Sequence, residues 1–127
     1  MAAARRSVGL AVLALLMAGC AGATPASTIP IPTGAVELRA VGTTFAPSRL
    51  SVEADQPFVL YFANTDTVPH NAAIIGSDGT RILAGDIISG STQQVSDVPA
   101  LASGAYQLRC DIHVEMTGTL EAVIRPT

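Results

Sequence analysis

From residue 35 to the end of the chain, apolar and polar residues alternate with a period of two. Alternation of this kind predicts half-buried β-strands, because successive side chains of a strand point to opposite faces. The apolar positions fall in five segments: Val36, Leu38 and Ala40; Leu50 and Val52; Phe58, Leu60 and Phe62; Tyr106, Leu108 and Cys110; and Leu120, Ala122 and Ile124. Turn-forming residues stand between strands, at positions 46–48, 55–57, 77–79, 89–91 and 103–104. We therefore predict an all-β fold, an antiparallel sandwich of about seven or eight strands over residues 35–127.

The N-terminal part has a different composition. Two arginines lie in the first six residues, and an apolar run covers residues 8–18. This run is too short for a transmembrane helix, which needs ~20 residues, and it is typical of a secretory signal peptide. Its end, Met17-Ala18-Gly19-Cys20, resembles the lipobox of bacterial lipoproteins, in which the cysteine is acylated and becomes the first mature residue.

This resemblance implies a lipoprotein signal peptide over residues 1–19 and a lipid on Cys20. Residues 20–34 are rich in Pro, Thr and Ser and are interpreted as a flexible tether before the domain at 35–127. The expected location is extracytoplasmic, anchored to a membrane on its periplasmic or outer side. Two alternatives remain: an ordinary signal peptide with an incidental Cys20, and a disulfide between Cys20 and Cys110.

Charge narrows the range of partners. The sequence has no lysine, and five arginines stand against ten carboxylates after residue 20, which leaves a formal charge near −5. Nucleic acid is therefore not expected as a partner, since no cluster of basic residues is available for phosphate. An acidic surface favours a neutral or basic protein partner.

Few side chains after Cys20 can bind a soft or borderline metal: one cysteine, two histidines and one methionine. Cys110, His113 and Met116 occupy one stretch, CDIHVEM, and His70 follows Pro69 after another predicted strand. Two histidines and one cysteinate with a weak axial methionine form a type of site that suits both Cu(I) and Cu(II). Zinc ordinarily takes four strong ligands, or three and a water. Structural alternatives are a buried hydrophobic Cys110, a surface His70 and a core-filling Met116.

These residues resemble the cupredoxin family. The matching pieces are His70-Asn71, Cys110-x2-His113-x2-Met116 followed by TGTL, the stretch GDIISG at 85–90, and Gly104-Ala105-Tyr106. The resemblance implies a Greek-key β-sandwich with one type 1 copper ion per chain. It implies His70, Cys110 and His113 as strong ligands, Met116 as the axial ligand, and Asn71 as a hydrogen-bonding brace of the ligand loop. Val114 stands where short-loop members often have proline, and Glu115 adjoins the axial ligand.

The resemblance also implies a function. We expect a monomeric one-electron carrier and not an enzyme, with membrane-bound complexes as its redox protein partners and His113 as the port for electrons. The alternative is an extracytoplasmic copper chaperone that delivers Cu(I) to an oxidase, because the same four residues would serve it. A third alternative, a cysteine–histidine enzyme, requires an orienting group beside Cys110 and His113, and the sequence offers none.

Overall fold

A computed structural model describes Gly19 and residues 28–127 of the chain. These residues form nine strands. The strands are β1 (Val36–Val41), β2 (Thr44–Ala46), β3 (Arg49–Glu53), β4 (Phe58–Asn64), β5 (Ala73–Ile75), β6 (Arg81–Ala84), β7 (Thr92–Val98), β8 (Gly104–Arg109) and β9 (Thr117–Val123). The predicted acylation site Cys20, most of the predicted signal peptide and residues 20–27 of the predicted tether lie outside the described residues.

The strands form two sheets that pack face to face. The first sheet has the order β2-β1-β4-β7, and the second has the order β3-β9-β8-β5-β6. Inward-facing apolar side chains of both sheets share one core, whose largest fully buried members include Leu38, Leu60, Phe62, Ile74, Leu108 and Leu120. The predicted all-β sandwich is confirmed, and the alternating segments supply most of its core.

The number of strands and the directions of two strand pairs differ from the prediction. β1 pairs with β4, and β3 with β9, in parallel, whereas the other five pairings are antiparallel. The sequence predicts an antiparallel sandwich of about seven or eight strands, and the described residues form nine strands with two parallel pairings. Period-two alternation shows which face a side chain occupies, but it contains no information about the neighbouring strand or its direction.

Several strands lack a readable alternation. β2 and β5 have three residues each, and all three residues of β5 are buried. β7 reads TQQVSDV and lies at the end of the first sheet, paired only with β4. An edge strand of this kind contributes few side chains to the core, so its sequence is mostly polar.

Sheet register brings the two predicted ligand segments together. Ala73 of β5 lies opposite Arg109 of β8. Because these strands are antiparallel, the residues just before β5 lie beside the residues just after β8. His70 and Cys110 therefore meet at one end of the sandwich, although they are forty residues apart in sequence.

The chain before β1 contacts the first sheet. The Ile29 amide donates to Oε1 of Gln93 at 3.0 Å, and the Tyr61 hydroxyl donates to the Ile29 carbonyl at 3.2 Å. Tyr61 faces away from the core and is nonetheless buried, in contact with this segment. In Gly19 and residues 28–127, no helix has the length and apolar character needed to cross a bilayer.

Candidate metal centre

Residues 110–116, named here the ligand loop, connect β8 to β9. The loop is closed by two backbone hydrogen bonds: the Cys110 amide donates to the Met116 carbonyl at 3.1 Å, and the Met116 amide donates to the His113 carbonyl at 3.0 Å. Cys110 continues the inward face of β8 and is buried, as is Met116. The tight turn at positions 113–116 brings the buried Met116 back beside Cys110 at the end of the core.

His70 reaches the same place from the other sheet. Residues 64–70, named here the His70 arm, leave the end of β4 and lead to an isolated bridge between His70 and Ile88. In this bridge the His70 amide donates to the Ile88 carbonyl at 3.1 Å, and the Ile88 amide donates to the His70 carbonyl at 2.9 Å. The His70 side chain is completely buried, which excludes the surface histidine considered from the sequence.

Three of the predicted ligands face one another. Cys110 Sγ lies 3.9 Å from His70 Nδ1 and 3.7 Å from His113 Nδ1. The three potential ligand atoms all lie within 4.8 Å of one another, and the two imidazole ring centroids are 4.8 Å apart. Met116 is fully buried at the end of the same loop. The structure thus brings residues from two distant segments to one point.

The surroundings of Cys110 favour the thiolate. Burial raises the pKa of the Cys110 thiol, but hydrogen bonds from the Asn71 and Ile112 amides and contacts with both imidazoles outweigh burial and lower the pKa to about 6. A thiolate is the form that binds metals and transfers charge to them. The surroundings of Cys110 therefore suit a metal-binding thiolate near neutral pH better than a small hydrophobic core residue.

Asn71 connects the segment of His70 to the ligand loop. Its Oδ1 accepts from the Asp111 amide at 2.7 Å, and its Nδ2 donates to the Gly85 carbonyl at 3.1 Å and to Asp111 Oδ2 at 2.7 Å. The bracing role of Asn71 remains a prediction, and these contacts are the ones that such a role requires.

Asp111 joins a cluster of charges at the start of the ligand loop. Arg81 donates to it through two nitrogens, at 2.8 and 3.0 Å, and Arg109 donates at 3.2 Å. Hydrogen bonds from Arg81, and then from Asn71, outweigh desolvation and hold the pKa of the Asp111 carboxyl well below its usual range. The roles of Asp111 and Arg81 could not be predicted from the sequence, because their pairing depends on the contact between separate strands.

Asp66 was also missed. Its Oδ2 lies 3.0 Å from His70 Nε2, on the edge of the imidazole ring opposite to Cys110. Burial lowers the pKa of His70, but the hydrogen bond to Asp66 and the contact with Cys110 outweigh burial and raise it. In turn, the hydrogen bond to His70 lowers the pKa of Asp66. The spacing of four residues between Asp66 and His70 was visible, but outside a helix that spacing implies no contact.

His113 is less buried than His70. It is partly exposed, and it lies between two exposed apolar side chains, Ile112 and Val114, the latter 86 % exposed. Glu115 is also exposed to solvent. The edge of the site that carries His113 is therefore the one open to other molecules.

The donor set fits copper better than the alternatives. A buried thiolate, two imidazole nitrogens and a nearby buried thioether combine soft and borderline donors, and methionine is a poor ligand for zinc. The fold and the site together define a β-sandwich protein whose His70, Cys110, His113 and Met116 are positioned to bind one copper ion.

Comparison with known proteins also indicates a β-sandwich copper protein. The family model described as a cupredoxin-like domain matches residues 9–122. Because this match covers most of the sequence, the protein belongs to the cupredoxin-like family. No curated protein sequence matches the chain.

Solved structures share the fold. Reduced auracyanin from the photosynthetic bacterium Roseiflexus castenholzii is 17% identical over 72% of this chain and 98% of its own, with a TM-score of 0.64. Auracyanin A, a "blue" copper protein from Chloroflexus aurantiacus, is 19% identical over 70% of this chain and 98% of its own, with a TM-score of 0.63. Amicyanin from Paracoccus versutus is 19% identical over 73% of this chain and 85% of its own, with a TM-score of 0.58.

Proposed function

We propose that this protein is a blue copper one-electron carrier. In this proposal His70, Cys110 and His113 would be the strong ligands of the copper ion, and Met116 would be a weak one. The observation that carries the proposal is the convergence of the Cys110 sulfur with Nδ1 of both histidines, at 3.9 and 3.7 Å, beside the buried Met116. The similar fold of auracyanin A, which is described as a "blue" copper protein, supports this proposal.

A single copper ion would supply one-electron chemistry at this site. The contribution of the protein is to hold the donors in place before and after the electron moves. The backbone bonds of the ligand loop and the His70–Ile88 bridge fix the backbone next to Cys110, His113, Met116 and His70. A fixed donor set rearranges little between oxidation states, which favours fast electron transfer over chemistry on a substrate.

We further propose that electrons pass at His113 to a redox protein partner. His113 is the partly exposed histidine, and the exposed apolar residues Ile112 and Val114 flank it. Close contact there would shorten the path to the metal, since Cys110 and His70 are buried. We propose a monomeric carrier, not an enzyme, with membrane-bound complexes among its partners.

We propose that the protein works outside the cytoplasm as a membrane-anchored lipoprotein. The lipobox-like sequence ending at Cys20 and the following Pro-rich stretch support this location. An acyl anchor would keep the carrier close to membrane-bound complexes, and stable retention requires more than one acyl chain.

Replacement of each cysteine tests the copper assignment. Copper-loaded protein should show an intense visible band from thiolate-to-copper charge transfer and a reversible one-electron couple. Cys110→Ser should abolish the band because it removes the thiolate donor. Cys20→Ser, the matched control, should keep the band but lose attachment to membranes. A band that survived Cys110→Ser would contradict the assigned donor.

The chaperone alternative has a different signature. A Cu(I) chaperone would bind Cu(I) tightly and transfer it to a metal-free oxidase, without need for a reversible couple. Transfer of copper from the loaded protein to an apo-oxidase, together with an irreversible electrochemical response, would replace the electron-carrier proposal by the chaperone.

A further inference from the structure

We propose that Asp66 is a positioning residue that sets the tautomer of His70 and lowers the reduction potential of the copper site. The carboxylate accepts a hydrogen bond from Nε2 of His70, so that Nδ1 carries the lone pair on the side of the ring that faces Cys110. This inference rests on the proposed copper function and extends it to a residue outside the four ligands.

The orientation of the ring follows from its two contacts. His70 Nε2 lies 3.0 Å from Asp66 Oδ2, and His70 Nδ1 lies 3.9 Å from Cys110 Sγ. An ionised carboxylate only accepts hydrogen bonds, so Nε2 must carry the proton in this pair. Neutral imidazole has one proton, and Nδ1 is then free to donate its lone pair toward the point shared with Cys110 and His113.

The position of the Asp66 carboxylate is itself fixed by its neighbours. Its Oδ1 accepts from the Thr67 amide at 2.7 Å, and the Asp66 amide donates to Asn64 Oδ1 at 2.9 Å. Gly90 packs so closely against the arm that a Cβ there would clash with the Asp66 carbonyl oxygen. Asp66 is therefore held toward His70 from both its side chain and its backbone.

No basic side chain neutralises Asp66 in the described part of the chain. His70 is the one ion-pair partner found for this carboxylate among residues 28–127, and the Asp66 side chain is 20% exposed. The negative charge is thus directed at a completely buried imidazole. Charges act strongly in such surroundings, because little water screens them.

A negative charge behind a ligand histidine increases its basicity as a metal donor. Such a donor stabilises Cu(II) more than Cu(I), because Cu(II) has the higher charge. The oxidised state is therefore favoured. The potential should therefore be lower than that of the same site with an uncharged partner on Nε2. A loop-stabilising role alone would leave the potential unchanged, which separates the two interpretations.

Asp66→Asn in the copper-loaded full-length protein tests this. Asn is nearly isosteric but uncharged, so the ratio of Cu(II) to Cu(I) affinity should fall about tenfold, which raises the potential by about 59 mV for one electron. Asp78→Asn is the matched control, because Asp78 Oδ1 likewise accepts a backbone amide hydrogen bond, from Thr80 at 2.9 Å. Asp78 lies at the turn between β5 and β6, away from the ligand loop, and its replacement should leave the potential unchanged.

A second measurement does not depend on how the variant folds. In the Cu(I) wild-type protein, long-range ¹H–¹⁵N NMR should place a slowly exchanging proton on Nε2 of His70. A proton on Nδ1 would overturn the proposal, as would equal potentials for Asp66→Asn and Asp78→Asn. Absence of the charge-transfer band in the wild type would overturn the copper function as well, whereas a normal band without the shift would overturn only the role of Asp66.

Discussion

The ligand loop and the His70 arm differ in how they hold their ligands. The loop carries Cys110, His113 and Met116 within seven residues and is closed by backbone hydrogen bonds of its own. The arm carries one buried predicted ligand, His70, which is held by the backbone bridge to Ile88 and by hydrogen bonds of the Asn64 and Asp66 side chains. The loop provides the thiolate and the open edge of the site, whereas the arm provides a ligand shielded from solvent.

A buried asparagine makes hydrogen bonds with each segment. Asn64 Nδ2 donates to the Val68 and Ile88 carbonyls, both at 2.8 Å, so its contacts stay within the arm and the residue bridged to His70. Asn71 instead joins the arm side to the ligand loop through Asp111. We therefore expect Asn64 to determine the conformation of the arm and Asn71 to attach the arm to the loop. Mutations of the two asparagines should affect these two properties separately.

Asn64→Ala should have the largest effect on stability. Asn64 is itself buried, and its replacement leaves the Asp66 amide and the Val68 carbonyl without their side-chain partner in a partly buried region. The free energy of unfolding should fall by about 2 kcal/mol. Chemical denaturation of the metal-free protein measures this.

The matched control for Asn64 is Gln94→Ala. The Gln94 side-chain amide makes two hydrogen bonds, against three for Asn64, and both are to Asp86 in an exposed region. Its replacement should cost less than about 1 kcal/mol, because water replaces the lost partners. Equal losses for the two variants would show that the arm does not depend on Asn64.

Met116→Leu tests the ligand loop. The swap conserves volume, so the metal-free protein should lose less than about 1.5 kcal/mol. The charge-transfer band should remain, since Cys110 is unchanged, but loss of the thioether should favour Cu(I) and raise the potential by about 59 mV, a tenfold change in relative affinity. Voltammetry measures the shift.

Leu101→Met is the control for this swap. Leu101 is a buried core residue near Asp55, at the end of the sandwich away from the ligand loop. Its replacement should leave the potential where it is. If Met116→Leu also left the potential unchanged, Met116 would be core filler and not an axial ligand.

Arg81→Met should have the smallest effect, and one that depends on pH. The pKa of Asp111 is lowered in the folded state, mainly by Arg81, so the stabilisation is complete above the usual carboxyl pKa of about 4 and is lost as the pH falls through the folded value. At neutral pH the metal-free variant should unfold at a slightly lower denaturant concentration than the wild type, because an exposed ion pair contributes little to stability. Its difference from the wild type should shrink in acid.

Arg39→Met provides the comparison for Arg81. Arg39 forms a single longer contact with Glu37, at 3.6 Å, and both side chains are about half exposed. Denaturation curves at neutral and acid pH should therefore show little change for this variant. A difference between Arg81→Met and the wild type that grew in acid would contradict the assigned direction.

The sequence allowed much of the fold to be predicted, because alternation at Leu38, Leu60 and Leu108 reports burial on one face. It did not allow β5 or β7 to be predicted, because one is buried along its whole length and the other is a polar edge strand. The parallel pairings also could not be predicted, since they depend on which strands become neighbours across the two sheets.

For the site, the residue types alone indicated copper: a single cysteine, two histidines and one methionine remain after Cys20, and soft donors rarely group without a metal. Only the tertiary structure decided which nitrogen of His70 faces Cys110. It also decided that Asp66 contacts His70 and that Asp111 contacts Asn71. The physical reason is that residue identity fixes which bonds a side chain can make. Which partner stands within 3 Å of it depends on how distant strands align.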